Sequence, residues 1–233
     1  NHADSSACII KDNKLIVAVE EERINRLKHY SGYPIKSIKE CLNVAKLSSE
    51  EITDIAFNTK PSSNLIPKTI FFLKNLSLKK NQLTKRFLKK VNIKNELFKH
   101  FKINTKVKLH FIEHHLAHIA SAFYPSGFKK SNGLSIDGSG DFVTFAIAKC
   151  ENNKIKIIKK NFFPHSLGIF YHGMTQFLGY LNYGDEYKLM GLAAYGEPKY
   201  FEKLKDNLFF EHSDQLVKLN LKFFNHQKRD YQY

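Results

Sequence analysis

The sequence contains no tryptophan, two methionines and three cysteines among its 233 residues. Cys8, Cys41 and Cys150 lie far apart with no CxxC pair, which suits neither a disulfide framework nor a structural zinc site, so they read as reduced filler. No apolar run approaches the roughly 20 residues needed to span a bilayer. The start lacks the charged, apolar and small-residue order of a signal peptide, so a cytoplasmic location is expected. Acidic residues are scarce in one place above all: between 60 and 108 Glu96 stands alone against a long series of lysines and Arg86.

A hydrophobic content of 42% is enough for a packed core, in one large domain or two modest ones. The net charge of +15 would suggest a polyanionic partner, but residues 60–108 carry most of the excess and the remainder is nearly balanced. In that segment the cations alternate with Phe71, Phe72, Leu73, Leu76, Phe87, Leu88 and Leu97. Such a pattern fits helices with one solvated face, and equally a surface that attracts anions. Asn1 in place of Met, with residues 2–7 reading as the end of a strand and a site loop, suggests a strand missing upstream. Residues 223–233 end without a turn, cap or tail signal, which suggests truncation there too.

Two stretches share one plan. From 5 to 20 a short apolar run, a polar turn at Lys11-Asp12-Asn13 and an alternating apolar run predict a hairpin. From 134 to 159 the plan recurs, with strand Leu134-Ser135-Ile136, loop Asp137-Gly138-Ser139-Gly140-Asp141, strand 142–148, turn Glu151-Asn152-Asn153 and strand 154–158. Helical stretches follow, Pro34 being a plausible first-turn residue before 35–47. A duplicated β-β-β-α plan is expected, with a cleft between related lobes and residues 60–102 as inserted helices.

The strongest local signal is Glu113-His114-His115-Leu116-Ala117-His118, running without a breaker to Pro125 as a helix. His114 and His118, four apart, project from one face and can reach a single metal, whereas His115 points elsewhere. Asp137 is the natural third ligand, because it ends an apolar strand and opens a glycine loop. Two histidines on an amphipathic helix can also be ordinary surface or core-edge residues. A zinc peptidase would need a glutamate inside the pair, and none is there.

Gly138, Ser139 and Gly140 can expose backbone N–H groups to an anionic oxygen, or simply enter a hairpin. Ser166 and Gly168 suit a helix N-terminus that receives phosphate, and Lys188 can neutralise charge. Gly191 and Gly196 suit a tightly packed helix pair as well. Glu20-Glu21-Glu22-Arg23, with Arg26, Lys28 and His29, reads as a solvated face or as residues gathered at a strand's C-terminal edge.

Together these blocks, with His2-Ala3-Asp4-Ser5-Ser6-Ala7 and residues 188–196, resemble the carbamoyltransferases of the nodulation and antibiotic-tailoring type, relatives of the tRNA threonylcarbamoyl-adenosine synthesis proteins. The resemblance covers nearly the whole chain apart from 60–108. It implies an α/β fold of the actin, sugar-kinase and Hsp70 type, here its N-terminal portion with a helical basic insert. It implies a two-step reaction in which carbamoyl phosphate and ATP give carbamoyl-adenylate, and a hydroxyl of a sugar or natural product then takes the carbamoyl group. His114, His118 and Asp137 would be catalytic and hold an iron-like divalent ion. Lys28, Asp137, Ser166 and Gly168 would contact the carbamoyl-adenylate, and Asp4 would face the acceptor. The fourth metal ligand and the carbamoyl-adenylate-forming domain would lie downstream of Tyr233. The alternatives are a phosphotransferase of the same fold and a polyanion-binding module built on 60–108, and neither a nucleic-acid nor a membrane partner is expected.

Overall fold

The computed structural model describes residues 4–74, 93–210 and 215–227. Its strands are β1 (Ser6–Lys11), β2 (Lys14–Glu20), β3 (Asp54–Phe57), β4 (Lys108–Phe111), β5 (Lys130–Gly140), β6 (Val143–Glu151) and β7 (Lys154–Phe162). Its helices are α1 (Glu21–Asn25), α2 (Ile35–Ala45), α3 (Leu65–Lys74), α4 (Ile93–His100), α5 (His114–Phe123), α6 (Leu167–Phe177), α7 (Glu186–Ala193) and α8 (Phe201–Leu208). The chain divides into two compact units, one of Asn1–Phe57 and Lys79–His110, the other of Asn58–Leu78 and Phe111–Tyr233.

In the first unit β1 and β2 form the expected antiparallel hairpin. Asp12 and Asn13 between them both take positive φ, 51° and 60°. A two-residue turn that follows the strand twist demands such backbone, and Asn and Asp tolerate it best among residues with a side chain. Helix α2 packs on this hairpin, its Cys41 buried and donating to the Ala7 carbonyl at 3.4 Å. Glu21 is only 3% exposed. Its carboxylate accepts from Ser37 N at 2.7 Å, Ser37 Oγ at 2.9 Å and Lys36 N at 3.2 Å, so it neutralises the positive end of α2 rather than facing solvent. Strands β3 and β4 pair in a separate two-stranded sheet. Among the described residues no third strand pairs with the β1–β2 hairpin.

In the second unit β5, β6 and β7 form an antiparallel meander. Asn152 and Asn153, with φ of 48° and 60°, repeat the tight turn of the first hairpin. Strand β5 continues through Gly140, its register shifting between Ile136 and Gly140. The stretch 137–140 is thus the irregular end of a strand, where an open loop was expected. Helix α5 lies on this sheet, and Ile119 and Phe123 join Val143, Ala146, Ala148 and Cys150 in one buried cluster. A second cluster gathers Leu208, Leu219 and Phe224, with Phe170 and Leu204 against it.

The basic stretch 60–108 contributes α3 to the second unit and α4 to the first, so it is shared between the units rather than forming one body. Residues 75–92 of that stretch lie outside the described residues. Among the described residues no helix is long and apolar enough to cross a membrane.

Candidate metal centre

Helix α5 begins at His114 because Glu113 leaves the helical conformation there, and it gives way to a single 3-10 turn that contains Pro125. His114 and His118 share one face. Their Nε2 atoms lie 2.9 Å apart, and the Asp137 Oδ2 stands 2.9 Å from His114 Nε2 and 3.8 Å from His118 Nε2. The three ligand atoms thus fall within 4.8 Å of one another. His115 points the other way and is fully buried, between the Ser135 hydroxyl at 2.8 Å and the Val143 carbonyl at 2.9 Å. Because a carbonyl can only accept, His115 carries its proton on Nε2 and receives one from Ser135 at Nδ1.

His114 and Asp137 are held from behind. His114 Nδ1 lies 3.2 Å from the Asn58 carbonyl oxygen, which places a proton on Nδ1 and turns Nε2 toward Asp137 and His118. Gly140 makes room for the His114 ring, since a β-carbon there would fall on it. Asp137 Oδ1 accepts from Gly138 N at 2.6 Å, leaving Oδ2 for the histidines. Ser166, the N-cap of α6, accepts from Ile169 N at 3.1 Å and donates to the Asp137 carbonyl at 2.9 Å. A β-carbon on Gly168 would stand 2.6 Å from Gly138 N, so the start of α6 approaches the strand end closely only as glycine.

Asp141 ties these pieces together. Buried at 4% exposure, it accepts from Thr59 Oγ1 and Lys60 N at 2.7 Å each and from His114 N at 3.1 Å. It thereby fixes the first turn of α5 to the segment that carries Asn58. Asp141 and Phe142 both take positive φ, 50° and 76°. The second is a strained conformation for an aromatic residue. Phe142 holds it through ring contacts with Phe71 at 5.6 Å and Phe163 at 5.8 Å, so packing offsets the backbone cost at the edge of the site.

The electrostatics follow the geometry. The hydrogen bond from His114, and then the nearby His118, hold the Asp137 carboxyl well below the usual carboxylate range. Burial alone would lower the His114 pKa, but the bond to Asp137 and its charge reverse this and the net direction is up. Burial pushes the His115 pKa down, in keeping with its neutral bonding. With Nδ1–H committed to Asn58, His114 Nε2 can approach a carboxylate oxygen at 2.9 Å only as an imidazolium or beside a shared cation. Ligand atoms about 2.1 Å from one ion sit about 3 Å apart when adjacent, so these spacings suit a divalent metal.

The other expected residues divide by unit. Gly138, Ser139, Gly140, Ser166 and Gly168 belong to the same end of β5 and start of α6 as Asp137. Lys188, on α7, is paired with Asp185 at 2.7 Å, which raises its pKa. In the first unit Asp4 is exposed and its Oδ1 stands 2.9 Å from His29 Nδ1, while Glu22 Oε2 accepts from His29 N at 2.9 Å. Lys28, beside His29, is exposed. Asn58, Thr59 and Asp141 escaped the sequence reading, since a carbonyl and a turn residue leave no motif; only the second acid of Asp-Gly-Ser-Gly-Asp could have marked Asp141.

A family model described as "Carbamoyltransferase N-terminus" matches residues 1–230. A Synechocystis protein named "Uncharacterized protein sll1178" is 35% identical over 233 residues, which is 96% of this chain and 38% of that protein. Nodulation protein NolNO of Sinorhizobium fredii is 36% identical over 201 residues, covering 84% of this chain and 28% of its own length. Nodulation protein NolO of Bradyrhizobium diazoefficiens is 41% identical over 95 residues, 40% of this chain and 17% of its own. The chain therefore spans well under half the length of these relatives, and over that span it belongs to the carbamoyltransferase family, matching its N-terminal part.

Proposed function

We propose that this chain supplies the metal-binding, group-transferring part of an O-carbamoyltransferase. The reaction takes a carbamoyl group from carbamoyl phosphate, by way of an ATP-derived carbamoyl-adenylate, to a hydroxyl of a sugar or natural product. The observation that carries this reading is the convergence of His114, His118 and Asp137 in a chain of this family.

His114, His118 and Asp137 would hold the ion, iron by family resemblance. Such an ion acts as a Lewis acid on a phosphate or carbamoyl oxygen. The chain's own residues orient the reactants. Asn58 keeps His114 in the tautomer that presents Nε2, and Asp141 keeps the first turn of α5 in place. Gly138, Ser139 and Gly140 with Ser166 and Gly168 form the wall against which the carbamoyl-adenylate phosphate would lie, the start of α6 contributing its positive end. Lys188 and Lys28 supply cations for the nucleotide, and Asp4 faces the acceptor. An actin, sugar-kinase and Hsp70-like architecture accords with an antiparallel meander whose first strand ends in an acid, and a cytoplasmic setting accords with these substrates.

The test uses the full-length protein beside its His114→Ala form, measuring bound metal and carbamoyl transfer from preformed carbamoyl-adenylate to a panel of sugars. Loss of both in the variant is the expected result. Retention of both makes the histidine pair structural, and a phosphorylated acceptor in place of a carbamoylated one makes the protein a phosphotransferase.

A further inference from the structure

Helix α5 packs against β7, and a largely buried ion pair joins the start of the helix to that strand. Lys160 Nζ donates to Glu113 Oε2 at 2.7 Å, the two side chains being only 21% and 16% exposed. Glu113 immediately precedes His114, and its carbonyl accepts from Ala117 N at 2.9 Å. The same ammonium donates to Asn64 Oδ1 at 3.2 Å, and Asn64 Nδ2 donates to the Asp141 carbonyl at 3.1 Å. Asp141 Oδ2 accepts from His114 N at 3.1 Å. A closed ring results, running from Lys160 through Glu113 to His114 along the backbone, and back through Asp141 and Asn64. All five residues belong to the second unit.

An ion pair withdrawn from water stabilises a fold little better than apolar side chains of the same volume, because desolvating both charges costs about as much as their attraction returns. What such a pair does supply is geometry. The ammonium has three donors, and here two of them go to Glu113 and Asn64, which reach His114 from opposite directions. Glu113 Oε1 is buried with no hydrogen-bond partner among the described residues, so the carboxylate depends on its other oxygen and on Lys160. A core arranged for stability alone would not keep that oxygen unsatisfied.

We propose that Lys160 is a positioning residue for His114. It acts through Glu113 and Asn64, and so sets where the imidazole stands relative to Asp137. Its consequence for metal binding rests on the reading of His114, His118 and Asp137 as a metal centre. The test uses Lys160→Met/Glu113→Gln in the full-length protein, because Lys160→Met alone would strand a buried carboxylate and endanger the fold. Cobalt(II) is the probe, read by its affinity and its visible absorption. The double variant should bind it about tenfold more weakly than the wild type, as for other groups that support a ligand, with an altered absorption band because His114 is displaced. Wild-type affinity with an unaltered band overturns the proposal. Amide hydrogen exchange at His114, measured without metal, keeps this failure apart from failure of the metal reading. There the double variant should exchange about tenfold faster, as for a locally loosened turn. A wild type that takes up no cobalt overturns the metal reading, and the exchange rate then decides the positioning role: faster exchange in the variant upholds it, and an unchanged rate overturns it.

Discussion

Gly140 occupies the one place on β5 where any β-carbon would collide with the imidazole of His114. Its φ is not in the left-handed region, so a glycine there serves space rather than backbone freedom. Gly140→Ala should therefore destabilise, by about 1–3 kcal/mol for an overpacked site, where an unobstructed Gly→Ala would stabilise. Displacing the ring should weaken metal affinity about 10- to 100-fold, as for other residues that support a ligand. Metal titration beside thermal unfolding of the full-length variant checks both.

His115 and His118 should separate stability from metal binding. His115→Ala leaves a cavity and strands the Val143 carbonyl, at a cost of about 2–4 kcal/mol, with cavity and lost hydrogen bonds both contributing. His118 is half-exposed at its side chain, so His118→Ala should change stability by less than about 0.5 kcal/mol while bound metal is lost. Chemical denaturation and metal content of the two variants give opposite orders.

Asp141→Asn should loosen the start of α5. The change removes the charge from a group that accepts from Thr59, Lys60 and His114, and charged hydrogen bonds of this kind contribute about 1.5–3 kcal/mol each. A loss of roughly 3 kcal/mol is expected by denaturation, with faster amide hydrogen exchange at His114 as its local signature.

Tyr33 gives the first unit a pH dependence. Burial first, and the Glu96 charge second, push its phenol up to about 12, against about 10 in an unfolded chain. The folded state thus holds the proton more tightly, so this contribution is complete below pH of about 10 and declines as pH rises toward 12. Unfolding followed across that window should show the fall, and Tyr33→Phe should remove this residue's share of it.

The hairpins were legible because their turns are chemical: Asp12-Asn13 and Asn152-Asn153 tolerate the backbone a two-residue turn needs. The i,i+4 histidines were legible because a helix period alone puts them on one face. Gly140 read as part of an anion cradle or of a hairpin entry, and the structure adds a further demand, the width of a ring that approaches from a helix more than twenty residues upstream. Glu21 read as part of a solvated run or of a group at a strand's C-terminal edge, and α2 begins beside it and uses its charge. In both cases the missing fact was a neighbour brought by tertiary packing, which no local pattern encodes. The pairing of β3 with β4, across the basic segment, was hidden for the same reason.

The three candidate metal ligands all come from residues 114 to 137, and the strand that bears the carboxylate pairs with its immediate successor across a two-residue turn. Chain segments so close in sequence meet quickly, since short loops close with little entropy loss. An ion held there would meet these three ligands while distant parts of the polypeptide are still unpaired, and by binding only the ordered arrangement it would draw the refolding chain toward it. On the proposed function, metal supply during synthesis, and not only during turnover, would become a determinant of how much active protein accumulates.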